Sequence, residues 1–152
     1  MDYDELDLRI LKIIQKSSRS SIETISGEVG LSQPAVQRRL KKLRESKIIT
    51  DEVALLSPKE LGFKMTFIVS VIMEREQANI LDSFKKRMIK HPNVQQCYYV
   101  TGQADFILIL ITKDMEEFEK ITRELFMDNS HVRSFRTSIT MGDNFTTLQL
   151  PL

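Results

Sequence analysis

The chain has one cysteine, Cys97, which excludes an intramolecular disulfide and fits a reducing cytosol. A lone thiol of this kind is expected to act as a small buried hydrophobe rather than a redox centre. Glycine is sparse, at five residues, and forms neither a phosphate-cradling loop nor a dinucleotide-binding fingerprint. The two histidines, His91 and His131, stand apart, so His, Cys and acids do not cluster at metal-ligand spacing. No Ser or Cys has an evident base partner. These absences point away from an enzyme, and no cofactor or metal is expected. Long hydrophobic runs are missing as well. The longest, residues 106–111, falls far short of the roughly 20 residues that span a bilayer, so no membrane partner is expected. The N-terminus is acidic, unlike the basic and then apolar start of a signal peptide. No repeat or low-complexity tract is visible. An excess of one charge is also missing, with a net charge of +1, although this near-neutrality hides a strong local bias.

That bias lies in residues 33–47, where six cations (Arg38, Arg39, Lys41, Lys42, Arg44 and Lys47) face one acid, Glu45. Val36, Leu40 and Leu43 recur at helical spacing and predict a buried stripe. At about 100° per residue, Pro34, Arg38, Lys41 and Glu45 point the opposite way, flanked by Gln37 and Lys42. Gly30 suits the left-handed end of a preceding helix, and Ser32 the N-cap of the next one. Pro34 is tolerated in a first helical turn. The preceding stretch, residues 21–29, carries Ile22, Ile25 and Val29 on one side. Helix, short turn and basic helix together make a helix-turn-helix that can enter a major groove. A solvated charged face is the competing reading of the basic helix alone.

The first helix is predicted over residues 4–16, with Leu6, Ile10, Ile13 and Ile14 inward. Asp2, Asp4, Glu5 and Asp7 crowd its start, where the helix dipole favours anions. Ser21 is the expected cap of the second helix. Residues 1–50 thus form a three-helix DNA-binding domain. Residues 51–62 form a wing and linker: 50–56 read as short extended pieces, and 57–62 as a turn that stops at Gly62. Residues 63–152 alternate strand and helix: strand 65–73, helix 76–90, strands 94–101 and 105–112, helix 114–127, strand 132–141, and one more strand at 145–150. Ile80, Leu81, Phe84 and Met88 are expected inward on the first of these helices, and Met115, Phe118, Ile121 and Leu125 on the second. Pro92 ends the former by disfavouring helix at His91. The order βαββαβ is ferredoxin-like, so the fold class is α+β. Both helices cover one sheet face, and the open face is apolar enough to pair with another subunit.

The sequence resembles the Lrp/AsnC (feast/famine) family over essentially its whole length. The likeness runs through Asp4, Asp7, Ile10, Leu11 and Gln15, then Arg19 and Ser21. It continues through Val29-Gly30-Leu31-Ser32, Val36, Arg39-Leu40, Leu43 and Ile48-Ile49. Leu56-Ser57-Pro58, Leu61-Gly62, Cys97-Tyr98, Val100-Thr101-Gly102, Asp105 and the closing Leu150-Pro151-Leu152 also match. The resemblance implies an N-terminal winged helix-turn-helix that binds double-stranded DNA, and a C-terminal ACT-like (RAM) effector domain. It implies a cytoplasmic, nucleoid-associated transcriptional regulator. It further implies homodimers formed through the C-terminal sheets, often assembled to octamers. The effector would be a small free amino acid, bound between dimers near the turn joining the second and third C-terminal strands.

On these grounds Ser32, Gln33, Gln37, Arg38, Lys41 and Lys42 are the candidate DNA-binding residues. The cations suit phosphates or guanine edges, the glutamines suit bases, and Ser32 with the helix N-terminus suits a phosphate. Arg39 sits nearer the buried stripe, where an ion pair with an acid of the first helix competes with DNA contact. The candidate effector-binding residues are Thr101, Gly102, Gln103 and Asp105 on the turn, with Thr137 matching a family position that reaches the ligand across the interface between dimers. Asp105 would take an ammonium, and backbone N–H groups around Gly102 a carboxylate. An ordinary hairpin turn is the alternative. Gln103, Ala104 and Phe135 depart from the family pattern, in which an acid, an aromatic and a small hydroxyl residue are common. They make the pocket less acidic and favour a neutral amino acid. Two other functions remain open: an architectural DNA-binding protein that needs no effector, and an ACT-like regulatory subunit that binds an enzyme.

Overall fold

The computed structural model describes residues 3–75, 77–142 and 145–152. Asp2, at the acidic start, and Glu76, the expected first residue of the fourth helix, lie outside the described residues. The chain divides into two compact units. One holds the N-terminal segment through Leu55 together with Phe145–Leu152, and the other begins at Leu56.

The first unit is built from α1 (Glu5–Ile14), α2 (Ile22–Val29) and α3 (Gln33–Glu45). Asp4 caps α1 reciprocally. The Asp7 N–H donates to the Asp4 carboxylate at 2.9 Å, and the Asp4 N–H to the Asp7 carboxylate at 3.0 Å. The Ser21 hydroxyl accepts from the Thr24 N–H and caps α2 as expected. Ile10, Ile25, Val29, Val36 and Leu40 pool their side chains into one core, bordered by Ile13, Ile14, Ile22, Leu31 and Ile49. Full burial of an aliphatic side chain contributes about 1.5–3 kcal/mol. This shared stripe therefore outweighs the modest propensity of three short helices.

No strand forms over residues 50–56, so the expected wing is absent as a paired element. Nothing in the described chain offers these residues a ladder partner, and Val53, Leu55 and Leu56 are exposed. Residues 57–62 make the expected helical turn, closed by Phe63 N–H donating to the Pro58 carbonyl at 2.9 Å. The turn stops at Gly62, where φ is 85°.

The second unit is a four-stranded antiparallel sheet with two helices: β1 (Met65–Met73), α4 (Ala78–Lys90), β2 (Val94–Tyr99), β3 (Phe106–Thr112), α5 (Met115–Thr122) and β4 (Val132–Ile139). The strand order is β2-β3-β1-β4. β1 is thus central, with Val71 opposite Phe106 on one side and Phe135 on the other. Phe67, Val69, Val71, Phe106, Leu108 and Leu110 face the helices and meet Phe84, Met88, Phe118, Ile121 and Leu125. α5 runs on into a π-helical turn, Arg123–Met127, which lets the adjacent Leu125 and Phe126 both enter the core. α4 ends at Lys90, with His91 extended before Pro92, as Pro92 dictates. Met115 is exposed rather than inward, because it stands at the first residue of α5, beyond the reach of the sheet.

The opposite sheet face carries Ile68 and Ile72 on β1 and Ile107, Ile109 and Ile111 on β3, with Ile68 paired across from Ile109. Neither helix of this unit covers it. Residues 145–150 do not form the expected strand. That segment groups with the first unit rather than the second. There the Gln15 side-chain amide donates to the Leu150 carbonyl (3.1 Å) and accepts from the Leu150 N–H (2.9 Å), in place of a ladder.

Candidate nucleic-acid interface and effector loop

The turn into α3 depends on backbone geometry. Gly30 takes φ 72° and ψ 34°, a left-handed conformation that any Cβ would penalise, and its N–H donates back to the Ser26 carbonyl. The Ser26 hydroxyl donates to the Leu31 carbonyl and steadies the turn. Ser32 occupies the N-cap of α3 with extended backbone, but its hydroxyl makes no capping bond. Its expected place is therefore correct and its expected capping bond is not formed. The first N–H groups of α3 receive no side-chain cap, an arrangement suited to a phosphate.

Val36, Leu40 and Leu43 are buried, which fixes the rotation of α3. Ser32, Gln33, Gln37, Arg38, Lys41 and Lys42 are all exposed in consequence. The six cations do not share one role. Arg39 Nη1 lies 2.8 Å from Asp7 Oδ1 and 2.8 Å from Asp4 Oδ2, so its charge is spent within the domain. These bonds hold the Arg39 guanidinium above its ordinary pKa, the Asp7 carboxylate contributing most and Asp4 next. Arg44 grips Glu52 through two parallel bonds of 2.9 and 3.0 Å, tying the end of α3 to the chain that follows. Lys41 lies 3.8 Å from Glu45, an exposed pair of little energetic weight. Arg38, Lys42 and Lys47 have no salt bridge among the described residues. The sequence reading missed the Arg44–Glu52 clamp, which periodicity cannot reveal because Glu52 lies outside the helix.

The β2–β3 turn places Thr101, Gly102 and Gln103 in solvent, with Ala104 and Asp105 half-buried. Gly102 adopts φ 124°, open to glycine and strained for other residues. Asp105 is held on three sides. Its N–H donates to the Val71 carbonyl (2.9 Å), its carbonyl accepts from Val100 N–H (2.9 Å), and carboxylate Oδ2 accepts from Met73 N–H (2.6 Å). This last bond serves a backbone donor next to the register shift at Ile72/Met73. Asp105 is thus first a structural anchor of the turn on β1, a role its sequence position did not disclose. Thr137 is exposed on β4, opposite Val69. β1 and β3 lie between it and β2, so one chain does not bring Thr137 to the turn. Phe135 packs its ring 5.1 Å from Phe126 and belongs to the core margin.

No group of three or more His, Cys, Asp or Glu side chains suited to a metal occurs among the described residues. No helix of the described chain is long and apolar enough to cross a membrane.

A helix-turn-helix with an exposed basic second helix, followed by a βαββαβ unit, is the architecture of a two-domain transcriptional regulator. Residues 4–44 match the AsnC-type helix-turn-helix domain, and residues 66–147 match the Lrp/AsnC ligand binding domain. The chain belongs to the Lrp/AsnC family of transcriptional regulators. An HTH-type transcriptional regulator of Sinorhizobium fredii is 43% identical over 152 residues, covering 100% of this chain and 90% of that protein. The transcriptional regulator AzlB of Bacillus subtilis is 31% identical over 149 residues, covering 98% of this chain and 95% of its own. The crystal structure of an AsnC family transcriptional regulator from Agrobacterium tumefaciens superposes with a TM-score of 0.91 at 27% identity, covering 98% of this chain and 97% of that one. That of a transcriptional regulator from Neisseria meningitidis in complex with L-Met gives 0.90 at 27% identity, with 98% and 96% covered. These families and relatives are transcriptional regulators, not enzymes.

Proposed function

We propose that this chain is a sequence-specific transcriptional regulator whose DNA affinity or assembly responds to a free neutral amino acid. The observation that carries the reading is the outer face of α3. There Gln33, Gln37, Arg38, Lys41 and Lys42 are exposed together while Arg39 and Arg44 are held in ion pairs. Arg38 and Lys42 serve as phosphate clamps or read guanine, and Gln33 and Gln37 read base edges. The protein works in the cytoplasm at the nucleoid. Two copies pair through the isoleucine-rich sheet face. Their helix-turn-helix units read half-sites about one helical turn, or a multiple of it, apart. Such dimers assemble further, to octamers in the fullest form.

The effector sits at the β2–β3 turn between dimers, with Thr101, Gly102 and Gln103 from one chain and Thr137 from another. Oδ2 of Asp105 is committed to Met73 N–H, and Thr101 and Gln103 carry no charge, so a cationic amino acid finds little there. The L-Met complex of the Neisseria meningitidis protein supports a neutral ligand by analogy. A panel of the twenty amino acids, read by light scattering and by DNA affinity, tests this. One neutral amino acid shifting both is the expected result, and reciprocity requires DNA to change its affinity in turn. Lysine binding more tightly than methionine or leucine would overturn the preference. Arg38→Ala and Lys42→Ala should each reduce the slope of log affinity against log salt by about one. The same is expected of Lys41→Ala if its Glu45 pair opens on DNA.

The specific engagement of Asp105 by β1 also favours a second reading, an architectural DNA-binding protein without an effector. Tight DNA binding with no response to any amino acid would select it.

A further inference from the structure

The two helices of the effector unit carry opposite charge. α4 presents Lys85, Lys86, Arg87 and Lys90 against one acid, Asp82. α5 with its π-helical turn presents Glu116, Glu117, Glu119 and Glu124 against Lys120 and Arg123, and the capping residues Asp114 and Asp128 add to the acidic side. The helices lie side by side on one sheet face, where Phe84 and Met88 share a core with Phe118 and Leu125. Arg87 joins them by donating to the Glu124 carbonyl at 2.7 Å. Beside that contact runs an open groove of about 420 Å³, lined by Arg87, Glu119, Lys120, Arg123 and Asp128 among others.

Much of this charge has no salt-bridge partner among the described residues. Among the described residues, Lys85, Lys86 and Lys90 on α4, and Glu119 and Asp128 on the α5 side, form no salt bridge. Large apolar side chains stand among them, with Ile89 65% exposed and Met127 61% exposed. Interfaces commonly place an apolar centre inside a polar rim. A basic stripe beside an acidic stripe on one surface is complementary to itself under a two-fold rotation.

We infer that the outer face of α4 and α5 docks a second copy of this chain, α4 of each copy lying against α5 of the other. DNA is a poorer occupant, because the acidic stripe adjoins the basic one and repels phosphate. The contact lies on the face opposite the isoleucine-rich sheet surface, so it adds an assembly step that does not depend on the sheet pairing or on an effector.

The test is sedimentation of the full chain at low and high salt. The expected result is a species beyond the sheet-paired dimer at low salt that loses one step of mass as salt screens the contact. Lys85→Glu/Lys86→Glu alone should lose that step, as should Glu119→Lys/Asp128→Lys alone. An equimolar mixture of the two variants should regain it, because reversed α4 then meets reversed α5. Misfolding in either variant would appear in its circular dichroism and could not be repaired by mixing. The inference is overturned if the wild type lacks a salt-dependent step, if the variants assemble as the wild type does, or if the mixture fails to recover. A lowered salt slope of DNA binding in Lys85→Glu/Lys86→Glu, with assembly unchanged, would assign α4 to DNA instead.

Discussion

Arg39 Nη1 lies 2.8 Å from Oδ1 of Asp7, a carboxylate only 4% exposed, and this bond locks the recognition helix to the start of α1. Asp7 also accepts from the Asp4 N–H, so helix capping and inter-helix pairing share one cluster. Arg39→Ala would leave a buried carboxylate without its cation. Such an orphan costs about 1–3 kcal/mol. Urea unfolding should show that loss, whereas the salt slope of DNA binding, measured on the folded fraction, should stay at the wild-type value. A slope reduced by a full unit would make Arg39 a phosphate ligand after all.

Acid should weaken the first unit through two carboxylates. The Asp7 N–H, followed by the Arg39 guanidinium, holds Asp4 below its ordinary 3.8. Arg44 holds Glu52 below its ordinary 4.5. A folded-state pKa below the unfolded one stabilises fully above the unfolded value, and that stability disappears as pH falls through the folded value. Thermal midpoints should therefore be level above about pH 5 and fall below it. In Asp4→Asn/Glu52→Gln the part of this fall due to the two groups is removed. Asn still caps a helix, so the variant tests charge rather than capping. An equally steep fall in the variant would place the acid sensitivity elsewhere.

Asp105→Ala removes the acceptor of Met73 N–H and should cost about 1 kcal/mol, the net value of one such bond. It should do so with no amino acid present. If stability is unchanged without ligand and only ligand binding is lost, the carboxylate is a ligand contact first and an anchor second.

Lys47 follows α3 with φ 60°, the one positive-φ non-glycine residue among those described. The backbone there resembles a glycine C-cap, with Ile49 N–H reaching the Leu43 carbonyl at 3.0 Å. Lys47→Gly should relieve the strain and stabilise the chain by about 0.5–1 kcal/mol. A denaturant midpoint that falls would mean the lysine side chain contributes more than its backbone costs. The same variant reports whether the Lys47 charge adds to the salt slope.

The hydrophobic periods carried most of the fold. β1 was legible to the residue, because residues 65–73 form an apolar, largely β-branched run broken only by Thr66 and Ser70 and bounded by Lys64 and Glu74. The rotation of α3 followed from Val36, Leu40 and Leu43 alone, and with it the exposure of every candidate DNA-binding residue. Pro92 marked the end of α4 through a steric rule that needs no context. The wing over residues 50–56 and the strand over 145–150 were not legible, since a strand exists only if another offers its N–H and C=O groups. Gln15 supplied the second segment with a side-chain amide instead, from 135 positions away.

The sequence by itself determined which residues could be buried and which helix would be basic, because both follow from spacing along one chain. Tertiary structure alone decided how that charge is shared out. Two cations of α3 were drawn into pairs with Asp4, Asp7 and Glu52, and Asp105 was tied to β1. Ion pairs and backbone contacts depend on which distant groups folding brings within about 3 Å, and no period along the chain encodes that distance.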